Sequence, residues 1–369
     1  MRKPRADAMI LGTHMDANGA HDEVRKLKTR AERPIHLKRP TMTDVANEAR
    51  VSQTTVSLVL NHADGARLSV QTRERVIAAA KNMGYRLGRR GAGPSSSGSS
   101  TIGFICDEFS TDPWTSIGFD GVREKAWERG YTVTVMATRG DAEMERAALA
   151  QMASQPLSGM IYATINTRLI EAPAALAQIP TVLLNCHVAD AALPSVVPGE
   201  VSGGHAATDF LLRAGHRRIG YINGEPSMEA SRHRLRGYRQ ALATADLPFD
   251  PALVREGNWQ PLSGYEGALA LMRLAAPPSA IFCANDLMAV GCYDALRELG
   301  LRIPQDVAVI GYDDREIAQH LHPPLTTVLL PHFEMGTIAA EMLLDAMTRP
   351  SKRPQHVKIE CQIVERKSV

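Results

Sequence analysis

From residue 101 onward the chain alternates between two textures. Short β-branched runs recur at TIGFIC (101–106), YTVTVMAT (131–138), SGMIYAT (158–164), TVLLN (181–185), RIGYIN (218–223), SAIFCAN (279–285) and VAVIGYD (307–313). Stretches of helical period separate them. Strands alternating with helices form βαβ units, and near-continuous apolar strands belong to a parallel sheet covered on both faces. Seven such strands over roughly 230 residues exceed one small sheet, so two doubly wound lobes are expected.

Residues 41–87 have a different rhythm. Thr41 and Asp44 are spaced as a helix-capping box, and Val45, Ala46 and Ala49 give the following helix a close-packing face. Ser52 is placed to cap a second helix whose Val56, Val59 and Leu60 point back at the first. Only Arg50 and Val51 separate the two, which is the spacing of a helix-turn-helix, a motif whose second helix enters a DNA major groove. Ser69 starts a third helix, with Val76, Ile77 and Ala80 expected to complete a small core. Arg73 and Arg75 are placed to meet phosphates.

Residues 88–100 contain GAGPSSSGSS, a linker by composition. The core then occupies 101–369, with one lobe over about 101–199 plus 331–356 and the other over about 200–330 plus 357–369. Residues 1–40 carry a basic run from Arg25 to Arg39 and no periodicity. They read as a disordered basic extension, with an arm touching DNA phosphates as the alternative.

Charge sharpens this division. Residues 1–100 hold 18 Lys and Arg against 9 Asp and Glu, whereas the remainder holds 24 against 31. A basic front on an acidic body suits a polyanion at one end and a different partner at the other. Five scattered cysteines without a C-x-x-C pair read as reduced, packed thiols. No apolar run is long enough to span a membrane or serve as a signal peptide, so a cytoplasmic protein is expected.

In open α/β sheets ligands bind beyond the carboxyl ends of the strands. Here those ends carry Asp107, Asn185, Asn285, Asp286, Asp313 and Asp314. Asp286 and Asp314 read mainly as helix caps, but the set as a whole points to a cleft.

MTDVANEARVSQTTVSLVLN followed by TRERVIAAAKNMGYR resembles the opening domain of the lactose/galactose-repressor family of bacterial transcription regulators. REGNWQPLSGY, FCANDLMAVG, DVAVIGYDD and PPLTTV resemble that family's periplasmic-binding-protein-like effector core, in the same order. The resemblance implies a homodimeric regulator, most simply a repressor, that binds pseudo-palindromic operator DNA. Its two lobes would close on a small molecule. It implies DNA contacts from Thr43, Ser52, Gln53, Thr54, Thr55, Ser57, Leu58, Asn61 and Arg73. Gln53 and Thr54 match the specificity pair, and Leu58 stands where relatives usually carry a guanine-reading arginine. Arg50 replaces the usual turn glycine, and the linker departs from the family's hinge helix, with Pro94 near the position of its minor-groove leucine. Arg89 and Arg90 remain there as candidate groove or phosphate contacts.

For the effector, the resemblance implies Arg234, Trp259, Asn285, Asp313 and Phe333, with Asn185 where relatives often have aspartate. Asp107 and Trp114 would lie at the cleft mouth. Carboxylates and a tryptophan face favour a neutral sugar or sugar derivative, and a nucleobase or a protein corepressor are the rivals. A sugar-binding protein without DNA function is the remaining alternative. No Walker loop, G-x-S-x-G or metal-ligand histidine pair occurs, so neither enzyme activity nor a cofactor or metal is expected.

Overall fold

A computed structural model describes residues 42–60, 69–83, 100–111, 113–349 and 353–369. Thr41, Asn61, Arg89, Arg90, Pro94 and the 1–40 extension lie outside them, as do the side chains of Thr54, Ser57 and Leu58.

The head consists of α1 (Met42–Ala49), α2 (Gln53–Leu60) and α3 (Val70–Asn82). Arg50 adopts the left-handed backbone that the turn demands, with φ of 53°. The Val51 amide donates to the Ala46 carbonyl at 3.0 Å, closing the turn. A non-glycine residue there costs about 1 kcal/mol, which the packed head absorbs. Ser52 caps α2 by accepting from the Thr55 amide at 3.1 Å, and Ser69 caps α3 through Thr72 at the same distance. Met42, Val45, Ala46, Ala49, Val51, Val56, Val59, Val76, Ala79 and Ala80 are buried together. Ile77 is not among them. It is 47% exposed, and the inward turn of α3 is taken by Val76, Ala79 and Ala80, which share one face of the helix.

The core carries two parallel sheets. The first orders β11-β5-β4-β3-β1-β2, built from β1 (Thr101–Cys106), β2 (Thr132–Ala137), β3 (Gly159–Leu169), β4 (Thr181–His187), β5 (Ser195–Pro198) and β11 (His356–Ile359). The second orders β7-β6-β8-β9, from β6 (Ile219–Ile222), β7 (Val254–Arg255), β8 (Ala280–Cys283) and β9 (Ala308–Ile310). Every pairing within these two sheets is parallel. A short antiparallel pair, β10 (Thr327–Val328) with β12 (Ile363–Val364), joins strands near the crossings between lobes. All seven strands read from the periodicity are present. The five that were not legible, β5, β7, β10, β11 and β12, are two to four residues long. Because β11 pairs with β5, the last crossing between lobes falls after Ile359, later than the sequence boundary at 357.

Helices cover the sheets: α4 (Pro113–Glu128), α5 (Ala142–Ala153) and α11 (His332–Thr348) beside the first, α6 (Glu200–Arg213), α7 (Glu229–Thr244), α8 (Pro261–Met272) and α9 (Asp286–Glu298) beside the second. A one-turn α10 (Glu316–His320) follows β9. Glycines set how closely these helices approach. A Cβ on Gly336 of α11 would fall into the Gly118 carbonyl of α4, and one on Gly291 of α9 into the Pro261 carbonyl of α8. Backbone, unlike a flexible side chain, cannot step aside. Gly336→Ala is therefore expected to cost about 3 kcal/mol, the upper end for overpacking, read as a lower midpoint in urea denaturation. An unchanged midpoint would show that the two helices slide apart freely.

Candidate functional site

A cavity of about 520 Å³ opens between the two sheets. The first lobe supplies Thr111, Trp114 at the start of α4, Ile165 to Thr167 from β3, and Asn185 from β4. The second supplies Arg234 from α7, Trp259 before α8, Asn285 before α9, and Asp313 and Arg315 after β9. The crossing segments add Pro198, Glu200, Leu330 and His332. Parallel strands bring these ends to one edge, which is why residues far apart in sequence meet here.

Trp259 is set by its neighbours. Its backbone has φ of 68°, and its ring lies so close to Gly224 that no Cβ would fit there. The indole N–H points at the Met228 sulfur at 2.8 Å, and Asn285 Nδ2 donates to the Trp259 carbonyl at 3.1 Å. Asn285 also caps α9, accepting from the Met288 amide at 2.8 Å. Asp286 is thus not the cap. Wholly buried, it accepts from the Thr327 hydroxyl and, at 2.7 Å, from the Arg315 amide. Burial, then the charge of Asp313, pushes its carboxyl well above the usual range. Asp314 is likewise not a cap, since it pairs with Arg366 at 2.6 Å.

Arg234 is the electrostatic centre. Its Nε and Nη2 donate to the two oxygens of Glu200 at 2.7 and 2.9 Å. Nη1 donates to the Ala284 carbonyl and, at 3.4 Å, to Asp313, while the guanidinium lies 3.7 Å over the Tyr312 ring. Arg234 and Glu200 are 3% and 4% exposed. Burial works against the charge, but the Glu200 carboxylate more than offsets it and holds the guanidinium protonated.

On the opposite wall Trp114 stacks on His332 with ring centroids 5.1 Å apart, and Arg315 lies 4.9 Å over the same indole. His332 is buried and its Nε2 has no hydrogen-bond partner within the protein. Burial, then the positive charge of Arg234, pushes its imidazole down to about 3. The neutral ring thus contributes to the cavity wall, with Nε2 itself shielded beneath the surface. The unfolded chain protonates this histidine near pH 6.5, whereas the fold resists until about pH 3. The stability it contributes is complete above pH 6.5 and is lost as pH falls toward 3. Melting temperature should accordingly fall more steeply between pH 6.5 and 4.5 in the wild type than in His332→Phe. Parallel slopes would remove His332 as the cause.

Of the eight effector residues expected from the sequence, Trp114, Asn185, Arg234, Trp259, Asn285 and Asp313 come together here. Asn185 is engaged in supporting the wall, donating to the Thr164 and Ile165 carbonyls and accepting from the Thr167 hydroxyl at 2.6 Å. Asp107 does not line the cavity. It accepts from the Ile165 amide at 2.8 Å and from Arg168 at 2.6 Å, bracing the same segment from behind. Phe333 also faces elsewhere, buried in an apolar cluster with Ile117. One residue along a helix turns a side chain by about 100°, so His332, not Phe333, meets the cavity. Glu200, Arg315 and His332 were not legible as site residues, because Arg234 lies 34 residues from Glu200 and the Trp114 that meets both His332 and Arg315 comes from a distant part of the chain.

A larger groove of about 1310 Å³ adjoins the cavity through Thr167, Pro198 and Glu200. His187 at the end of β4 and Glu229 at the start of α7 meet beside it at 3.1 Å, linking the lobes.

In the head, Thr43, Ser52, Gln53 and Thr55 are buried, Arg73 is half-buried and Arg75 is exposed. Gln53 donates to the Thr43 hydroxyl at 3.3 Å, and Ser52 and Thr55 share a hydrogen bond of 2.9 Å. To reach a base edge, Gln53 must leave Thr43.

Comparison with known proteins matches residues 41–86 to the model described as bacterial regulatory proteins, lacI family, and residues 208–369 to a periplasmic binding protein-like domain. The ribose operon repressor of Haemophilus influenzae is 31% identical over 331 residues, 89% of this chain and 98% of its own length. The HTH-type transcriptional repressor PurR of Vibrio atlanticus shows the same identity and coverage. Among solved structures, the complex of the transcriptional regulator CelR with cellobiose is 31% identical, with a TM-score of 0.61 over 90% of this chain and all of that one.

Proposed function

The chain belongs to the lacI family of bacterial regulatory proteins, and from that premise we propose that its cleft takes a sugar or sugar derivative. The protein is a DNA-binding transcriptional regulator controlled by a small-molecule effector. The observation that carries the sugar reading is the pairing of two tryptophans, Trp114 and Trp259, from opposite lobes with Asp313 and Asn285. Indole faces suit the C–H surface of a sugar ring, and the polar set suits its hydroxyls. The cellobiose bound by CelR and the ribose operon governed by a close relative agree with this chemistry.

In this reading the protein is a cytoplasmic homodimer without enzymatic activity. No described helix is long and apolar enough to cross a membrane. Ligand bridging the lobes would favour one closure, and closure would set the spacing of the two heads on operator DNA. Coupling then equals the difference in ligand affinity between closures.

Thermal-shift measurements with ribose, cellobiose, glucose and hypoxanthine test the ligand class. A sugar should raise the melting temperature and change operator affinity. A rise with hypoxanthine alone would replace the sugar with a nucleobase.

A further inference from the structure

An arginine in a sugar cleft ordinarily offers its planar fork to a ligand, either to adjacent hydroxyls or to a carboxylate. Here that fork is already filled. Both Glu200 oxygens occupy the Nε and Nη2 edge of Arg234, at 2.7 and 2.9 Å, and Nη1 is committed to Ala284 and Asp313. Glu200 arrives from the first turn of α6, immediately after the crossing from β5, so the crossing itself delivers the carboxylate into the second lobe.

The remaining charges point the same way. Glu200, Glu225 and Asp313 line the cavity against Arg234 and Arg315, three carboxylates to two guanidiniums. Asp313 lies between the two arginines, 3.4 Å from one and 3.8 Å from the other. An incoming anion would therefore meet a site whose positive groups are matched and whose surplus is negative. Removing the ligand's hydration without offering it a free cation is costly.

We propose that Glu200 acts as a built-in carboxylate that occupies the Arg234 fork and restricts the effector to uncharged molecules, excluding sugar acids and sugar phosphates. This rests on the reading of the cleft as the effector site. It makes Glu200 the residue that decides ligand charge, and Arg234 a support for Glu200 and Asp313, not the ligand's own anchor.

The test uses the full-length protein and matched probes: glucose against gluconate and glucuronate, ribose against ribose 5-phosphate, with hypoxanthine as a neutral non-sugar. Binding is read by thermal shift and equilibrium dialysis in the wild type and in Glu200→Gln, which keeps the shape and removes the charge. The acids and the phosphate should leave the wild type unaffected at concentrations where Glu200→Gln is stabilised by at least one of them. The affinity for that anion should rise at least tenfold. Wild-type protein that binds an anion as tightly as its neutral counterpart overturns the proposal. So does a folded Glu200→Gln that gains no anion. Circular dichroism reports folding, and if glutamine disturbs it, Glu200→Ser opens the same fork with a smaller side chain. Stabilisation by hypoxanthine and by no sugar would end the sugar reading, while the anion response of the variants still decides the role of Glu200.

Discussion

Replacing Arg234 with methionine is expected to lower the melting temperature by about 10 °C and to abolish the effector's influence on operator binding. The size follows from what the arginine leaves behind. Glu200 and Asp313 are both at most 5% exposed, and without Arg234 the first keeps no ionic partner among the described residues and the second loses one of two arginines. Breaking one partner of a buried pair costs roughly 3–5 kcal/mol, and each kcal/mol moves the midpoint of a core this size by about 2–4 °C. The stacking of the guanidinium on Tyr312, 3.7 Å from the ring, is lost as well. Arg234→Lys should recover little, since a lysine keeps the charge but cannot meet two carboxylate oxygens at once. The double variant Arg234→Met with Glu200→Gln should be more stable than Arg234→Met alone, because it removes the stranded charge. Calorimetry on the three variants checks the order. If the single and double variants melt together, the pair carries no coupling energy.

Operator binding should collapse as salt rises. A dimer whose two heads make about six to ten phosphate contacts loses roughly 10³–10⁵ in affinity between 50 and 200 mM salt. Arg75, exposed on α3, and Arg73 beside it are the described cations placed to contribute. Charge-removing variants at either should flatten the salt slope by about two units each, one per head, while leaving base preference alone. Leu58→Arg should do the reverse. It restores a guanidinium where the family usually reads guanine, adding about 1–3 kcal/mol of discrimination at that base pair. Fluorescence anisotropy over a salt series, with operators differing at that position, separates the two effects. A slope unchanged by Arg75→Ala would mean that α3 stands away from the phosphates.

Much of the architecture was readable because it rests on local rules. Seven strands announced themselves by apolar, β-branched runs, and the head by caps at Ser52 and Ser69 with apolar residues at helical spacing. Arg50 stood out in the sequence as the replacement for the family's turn glycine, and its left-handed backbone is what such a glycine would supply. The other five strands were not, since β7, β10 and β12 have two residues and carry no period, and the four-residue β5 and β11 lie beside prolines that read as breakers. Ile77 looked like a core residue by composition alone, and the rotation of α3 turned it outward. Phe333 and His332 show the same limit at the site. An aromatic next to a cleft segment is visible in sequence, but which of two adjacent side chains faces the cleft depends on where the helix begins.

The sequence by itself determined the order of strands and helices, the head with its basic surroundings, and most of the polar strand ends that form a cleft. Periodicity and capping are interactions among near neighbours, so they are written in the chain. Only the tertiary structure decided what those polar groups do to one another. Glu200 and Arg234 stand 34 residues apart, and Arg315 and Trp114 come from different lobes. Whether Arg234 is open to a ligand or filled by a carboxylate depends on the path of one crossing segment. In a buried site the charge balance follows from which groups burial forces together, and that is set by the packing of the whole core.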